Sequence, residues 1–271
     1  MRIIRFESGG HVHFGRPQDE QNTVAERLDG KSPLALRATG QRLAVQRLLA
    51  PIVPVDIFCI GLNYRDHAAE GGSKVPPVPM LFIKSGNTLN HPGSPIPIPK
   101  RSSMIDYEAE LAVVIGKDAK DVPRARALEY VFGYTCANDV SARDWQQDKN
   151  LGGGQFARGK SFDGFCPLGP AIVTADEIPS PNQLRLRCIL NGQTMQDQST
   201  SDMIYDVPTL IESLSSTLTL RAGSIILTGT PAGVGFARKP PVWLKPGDNV
   251  VVEIEGIGRL ENSVMREAES L

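Results

Sequence analysis

The chain has 271 residues, enough for one large domain with a small appendage and ample for a sizeable core. Its 29 basic and 30 acidic residues nearly cancel, which argues against a nucleic-acid partner, since such binders carry a basic excess. An apolar fraction of 41% with 22% charged residues excludes disorder over most of the length, and no apolar run approaches a membrane span.

The four cysteines, Cys59, Cys136, Cys166 and Cys188, are far apart, form no CxxC and stand among apolar neighbours. That pattern predicts buried free thiols in a reducing compartment. The start, Met-Arg-Ile-Ile-Arg-Phe, lacks the apolar core of a signal peptide. The expected location is cytoplasmic.

In chain order, residues 1–50 read as a small separate N-terminal domain. Ile3, Ile4 and Phe6 suggest a short strand, 11–14 a second, and 43–49 a short helix. Residues 51–54, Pro-Ile-Val-Pro, lead into a second domain at 51–271. A buried strand is predicted over 57–61 and one or two helical turns over 63–70. Pro76, Pro77 and Pro79 forbid helix directly afterwards. From residue 80 the signals are mainly β, with strands at 80–84, 107–115, 130–138, 168–173, 184–190, 224–228 and 249–254. Helices are predicted at 124–131 and 207–220, the second because Leu210, Ile211, Leu214 and Leu218 recur at a helical period. Asn191-Gly192 reads as a hairpin turn and Gly247-Asp248 as a strand entry. Strands without regular βα alternation predict an α+β fold, mainly β.

Glu108 and Glu110 stand two residues apart and run into Leu-Ala-Val-Val-Ile. In a strand they share a face, and burying two adjacent carboxylates is costly unless they are paired or bind a metal. A hard divalent cation would justify the pair, with Asp139 as a third ligand. Donors that are all oxygen favour Mg²⁺ or Mn²⁺ over Zn²⁺. The plain alternative is two solvent-facing glutamates on an edge strand, with Asp139 in a turn.

Residues 154–161, Gly-Gln-Phe-Ala-Arg-Gly-Lys-Ser, match the phosphate-loop pattern literally. Their flanks offer neither the preceding strand nor the following helix that gives the pattern meaning. Lys160 is instead read as a cation held by a loop near the acidic cluster, against the alternative of a surface lysine. His67 and Glu70 share a helical face at i,i+3, where a carboxylate can orient an imidazole as a general base; the alternative is a surface ion pair. Arg143 and Gln146 follow Asp139 on one prospective helical face and can both bind a carboxylate, or simply begin a solvated helix. Residues 228–235, glycine-rich at a strand end, allow close approach of a ligand or form a tight loop without one.

Together these segments resemble the fumarylacetoacetate hydrolase family. The matching stretches, in the family's order, are Gly61-Leu-Asn-Tyr-Arg-Asp-His67-Ala-Ala-Glu70, Asp106-Tyr-Glu108-Ala-Glu110-Leu-Ala-Val-Val-Ile-Gly116, Asn138-Asp139-Val-Ser-Ala-Arg143-Asp-Trp-Gln146, Gly159-Lys160-Ser-Phe-Asp163 and Ile226-Leu-Thr-Gly-Thr230-Pro-Ala-Gly-Val-Gly235. Phe165-Cys-Pro-Leu-Gly-Pro170 and Arg238-Lys-Pro-Pro-Val242 are most similar to the branch called fumarylacetoacetate hydrolase domain-containing protein two. The resemblance implies a mixed β-sandwich roll behind a small N-terminal domain, normally as a homodimer. It implies Glu108, Glu110 and Asp139 as ligands of Mg²⁺ or Mn²⁺, and His67 and Glu70 as an acid–base dyad on a mobile lid helix. It implies Lys160 as the catalytic lysine, with Arg143, Gln146, Thr230 and Lys84 on the substrate. The name-giving enzyme of the family has a further Asp ligand near 61–64. Leu62 and Asn63 stand there in this chain, which points to a substrate other than fumarylacetoacetate.

The expected activity is metal-dependent chemistry on a small 2-oxo acid through an enolate. The first expectation is hydrolysis of a C–C bond in a β-diketo, acylpyruvate-like acid. The alternative is an oxaloacetate tautomerase or decarboxylase, or a 2-oxo-acid hydratase or isomerase acting on a small 2-oxo dicarboxylate. A metal-binding protein without turnover and a nucleotide binder are the rival classes.

Overall fold

The computed structural model describes residues 1–151 and 153–267. Its organising element is the strand Ala109–Ile115, buried along its whole length, as an apolar run with partners on both edges must be. Val131–Asn138 pairs with one edge and Ile225–Leu227 with the other. Side chains alternate across a strand. Leu111, Val113 and Ile115 enter the main core, while Ala112 and Val114 enter a second core with Ile57, Cys59, Leu168 and Leu227.

The large sheet runs, edge to edge, Ala35–Ala44, Val24–Ser32, His11–Pro17, Arg2–Ser8, Cys166–Thr174, Val131–Asn138, Ala109–Ile115, Ile225–Leu227, Ile57–Gly61 and Met80–Lys84. Ile225–Leu227 and Ile57–Gly61 run parallel while their neighbours run antiparallel, so the sheet is mixed. A second sheet, Gln193–Ser199, Arg185–Leu190, Asn249–Ile254, Gly258–Arg266 and Ile96–Ile98, contributes Leu186, Cys188, Val250, Val252 and Leu260 to the main core. Two inner faces sharing one core make a sandwich. The helix Val207–Thr217 adds Leu210, Ile211 and Leu214 to it. Asp206 caps that helix, accepting the Thr209 backbone N–H at 2.9 Å. The fold is α+β and mainly β, as the sequence pattern predicts.

Strands form over 80–84 and 249–254 as expected. Residues 43–49 are a correction: they are extended rather than helical. Arg47–Leu49 pairs with Arg2–Ser8, Ala35–Ala44 pairs with Val24–Ser32, and Leu43, Val45 and Leu48 pack on Ile4, Phe6 and Ala25. Strand pairing decided a short run whose spacing fits either period. Residues 124–130 coil as a 3₁₀ helix behind Pro123. The helix from Val207 stops at Thr217, and Leu220 then bridges to Ala119. The closing strand Gly258–Arg266 escapes prediction because Asn262 occupies its buried face between Leu260 and Val264.

The first strand pairs with Cys166–Thr174 through Arg2↔Val173 and Ile3↔Ile172, so the N-terminal strands extend the large sheet. All four cysteines are buried and free. Burial pushes the thiols of Cys136 and Cys166 up to about 12, which leaves them protonated and unreactive. Among the described residues no helix is long and apolar enough to cross a membrane.

Candidate metal centre and active site

Strand register builds the acidic cluster. Ala109 pairs with Asn138 and Glu110 with Ala137. One step beyond, the Asp139 N–H donates to the Glu108 carbonyl at 2.9 Å. Glu108, Glu110 and Asp139 therefore converge, one oxygen of each within 4.8 Å of the others, and all three are buried. They are not the solvent-facing glutamates of an edge strand.

The oxygens can be accounted for one by one. Lys160 Nζ donates to Glu108 Oε2 at 2.7 Å and to Asp139 Oδ2 at 2.6 Å. Lys84 Nζ donates to Asp139 Oδ1 at 2.6 Å. Arg143 Nη2 lies 2.7 Å from Glu108 Oε1 and 2.8 Å from Asp106 Oδ2, at ion-pair distance but aligned for a hydrogen bond with neither. Among the described residues Glu110 receives only the Gly229 N–H, on Oε2 at 2.7 Å. Among the described residues it has no cation at ion-pair distance. Counting Asp106, four carboxylates face the three cations Lys84, Arg143 and Lys160, and the unbalanced charge sits at Glu110.

Protonation follows the same accounting. Burial pushes the Glu108 carboxyl up, but Lys160 and Arg143 outweigh it and hold it at about 2. Burial first, then Asp139 and Glu108, push the Glu110 carboxyl well above its ordinary value. Burial alone would discharge Lys160, yet Asp139 and Glu108 more than reverse that and keep it an ammonium. A buried, oxygen-only donor set with surplus negative charge fits a hard divalent cation.

A cavity of about 190 Å³ opens on this cluster. Glu108, Glu110, Arg143, Gln146, Lys160 and Thr230 line it, as do His67 and Glu70 and the rings of Phe82, Phe156 and Phe236. The helix Arg143–Gln147 puts Arg143 and Gln146 side by side, with Arg143 Nη1 donating to Gln146 Oε1 at 3.0 Å. On the helix Arg65–Glu70, His67 Nδ1 and Glu70 Oε1 are 2.7 Å apart. Glu70 Oε2 accepts the Gly233 N–H at 2.9 Å, which latches this helix to the glycine-rich loop. Gly229 holds φ +97°, and a side chain there would meet Asn63 Cβ at 2.7 Å. Only glycine brings that N–H onto Glu110.

Most of the expected residues thus line one cavity; Asp139 and Lys84 do not, and Lys84 is a correction. Lys84 is off the cavity wall, fully enclosed behind Asp139, and its ammonium is committed to Asp139 and, at 3.1 Å, to the Val140 carbonyl. It holds a carboxylate in place and does not reach a ligand in the cavity. Thr230 lines the cavity, but its hydroxyl donates to the Ala109 carbonyl at 2.9 Å and accepts from Gln196 Nε2 at 2.8 Å, so it has no proton for a ligand. Asn63 turns to backbone, donating to the Thr228 and Tyr205 carbonyls at 2.7 and 3.1 Å. In 154–161 the one-turn helix Phe156–Lys160 lies wholly inside the phosphate-loop pattern and stops one residue before its end, and Lys160 meets carboxylates. That geometry does not cradle a phosphate.

Sequence reasoning missed two supporting residues. Asp106 accepts Arg143 Nε at 2.9 Å together with the N–H groups of Gly235 and Phe236 at 2.8 and 3.0 Å. Its signal was present, since it continues the alternation of Glu108 and Glu110. Gln196 clamps the same loop by donating to Thr230 and to the Pro231 carbonyl, at 2.8 Å each, and accepting the Ala109 N–H at 3.0 Å. A lone glutamine in a hairpin strand gives no local signal.

Comparison with known proteins agrees with this geometry. Residues 56–265 match the family described as Fumarylacetoacetate (FAA) hydrolase C-terminal, and residues 1–51 match Rv2993c-like, N-terminal. The oxaloacetate tautomerase fahd2, mitochondrial, of Xenopus laevis is 49% identical over 219 residues, covering 80% of this chain and 68% of that protein. The 5-carboxymethyl-2-hydroxymuconate delta-isomerase of Mycobacterium smegmatis superposes with a TM-score of 0.86 at 38% identity, over 98% of this chain and 100% of that one. The fumarylacetoacetate hydrolase of psychrophilic Exiguobacterium antarcticum does so with a TM-score of 0.83 at 38% identity and the same coverage. The chain belongs to the fumarylacetoacetate hydrolase family of enzymes.

Proposed function

We propose that this chain is a divalent-metal-dependent tautomerase of a small 2-oxo dicarboxylic acid, with oxaloacetate as the reference substrate. The observation that carries the reading is one small cavity walled by the His67–Glu70 pair, Lys160, Glu108 and Glu110, with Asp139 converging on those two glutamates. The names of the Xenopus and Mycobacterium relatives favour tautomerase and isomerase chemistry over C–C hydrolysis. At about 190 Å³ the cavity lies below the ~300–1,000 Å³ of common small-molecule sites. That suits a short acid better than the two-part substrate of a β-diketone hydrolase.

Glu108, Glu110 and Asp139 would hold Mg²⁺ or Mn²⁺, which supplies Lewis-acid polarisation of the 2-oxo group and so acidifies the neighbouring carbon. The side chains do the rest. Tautomerisation moves one proton between carbon 3 and the 2-oxo oxygen and breaks no carbon–carbon bond. Glu70 fixes His67 through Nδ1, which leaves Nε2 to take the carbon proton and return it to oxygen. The Lys160 ammonium offers positive charge to the oxygen that gains electron density. Gln146 has its carbonyl taken by Arg143 and keeps its amide N–H groups for a substrate carboxylate.

The test is an assay of the purified protein with Mg²⁺ on enol-oxaloacetate, followed by loss of the enol absorbance. Pyruvate release and acylpyruvate cleavage are measured alongside. Fast enol loss without pyruvate supports the proposal. Acylpyruvate cleavage that outpaces enol loss would restore hydrolysis as the main activity.

A further inference from the structure

We propose that Lys160 and the divalent ion compete for the same carboxylate oxygens, so that metal loading is the event that frees the lysine for substrate. This rests on the metal-centre reading above and adds an order of events to it. The support is the oxygen accounting. Both oxygens of Glu108 and both of Asp139 are within 2.7 Å of a cationic nitrogen. An ion that takes one oxygen from each of the three carboxylates therefore meets a cation on two of them. Like charges at such distances repel strongly in a buried site.

The three cations are not equally free to yield. Arg143 is anchored on its far side by Asp106 and by Gln146. Lys84 is enclosed and holds the Val140 carbonyl as well as Asp139. Among the described residues Lys160 has no third hydrogen-bond anchor: its hydrogen bonds go to Glu108 and Asp139, the two ligands themselves. It also faces the cavity. Its ammonium already lies 5.0 Å from the centre of the Phe82 ring, and that aromatic face can keep hold of it when the carboxylates let go. Lys160 is the cation that moves. Once off the carboxylates, it stays in the cavity beside the substrate oxygen, so metal and lysine act in sequence.

The experiment titrates metal-stripped protein with Mn²⁺, reading free Mn²⁺ by electron paramagnetic resonance, for the wild type and for Lys160→Gln. The variant is expected to bind at least tenfold more tightly while losing turnover. Equal or weaker binding by the variant overturns the competition and leaves the metal centre intact. Absence of Mn²⁺ binding in the wild type overturns both. A second reading needs no charge-removing variant. In wild-type protein labelled with ¹⁵N at lysine Nζ, and assigned with Lys160→Arg, the Lys160 ammonium signal should shift or broaden on adding Mg²⁺. A signal unmoved at saturating Mg²⁺ also sinks the proposal.

Discussion

Asp106 accepts the Arg143 Nε proton at 2.9 Å, and the same carboxylate takes the N–H groups of Gly235 and Phe236. One buried acid therefore sets both the guanidinium and the loop that carries Phe236 into the cavity wall. Asp106→Asn removes the charge and leaves Arg143 shared by Glu108 alone. Breaking a buried ion pair costs about 3–5 kcal/mol, and unfolding in denaturant should show a loss of that order. Steady-state kinetics should show KM rising at least tenfold, with a smaller fall in kcat. An unchanged KM would mean that Asp106 is structural only.

Glu70 makes two contacts, one with His67 Nδ1 and one with the Gly233 N–H. Glu70→Gln keeps a carbonyl for one of them and withdraws the carboxylate that faces the His67 ring. General acid–base catalysis contributes ~10²–10⁴-fold, and kcat should fall within that range. Both side chains are partly exposed, at 15% and 22%, so thermal stability should hardly move, and Mn²⁺ affinity should stay within a few-fold. A variant with full kcat would remove the dyad from the mechanism.

Much of this was legible in the sequence because its rules are local. Ala109–Ile115 reads as a buried strand from its apolar run, and Glu108 and Glu110 fall on one face from period two alone. His67 and Glu70, like Arg143 and Gln146, meet because three residues make nearly a helical turn. What depends on distant partners was not legible. Lys84 follows an ordinary strand pattern, and only its approach to Asp139 shows that it supports a carboxylate. The run 43–49 became strand because Arg2–Ser8 and Val24–Ser32 lay beside it. Gln196 acquires its role from the loop at 229–235, which arrives from far along the chain.

The acidic cluster gives stability a defined pH dependence. Glu108 is held at about 2, below its ordinary 4.5. Its contribution is full above the unfolded value and is lost as pH falls from about 4.5 towards about 2. The shift corresponds to roughly 3 kcal/mol. Glu110 has the opposite sign, since its raised carboxyl stabilises the fold at low pH and ceases to do so as pH rises. In chelator, melting temperature plotted against pH should fall for the wild type below about 4.5, whereas Glu108→Gln should give a flatter curve over that range. Parallel curves would show that Glu108 is not the residue at work.

Glu110 separates folding from metal binding most sharply. It carries the unbalanced charge, accepts only the Gly229 N–H among the described residues, and is pushed towards protonation by burial and by Asp139 and Glu108. Glu110→Gln keeps an acceptor for Gly229 and abolishes the repulsion. Metal-stripped protein should therefore hold or gain stability, by up to about 2 kcal/mol, because the isostere cannot take the buried, unpaired charge that the carboxylate takes as pH rises. The same change removes one of three anionic ligands, so Mn²⁺ affinity should drop at least 100-fold and turnover should vanish. Unfolding in chelator and Mn²⁺ titration on one preparation check both halves. A variant that loses stability but keeps its Mn²⁺ would make Glu110 a structural carboxylate and move the ion elsewhere.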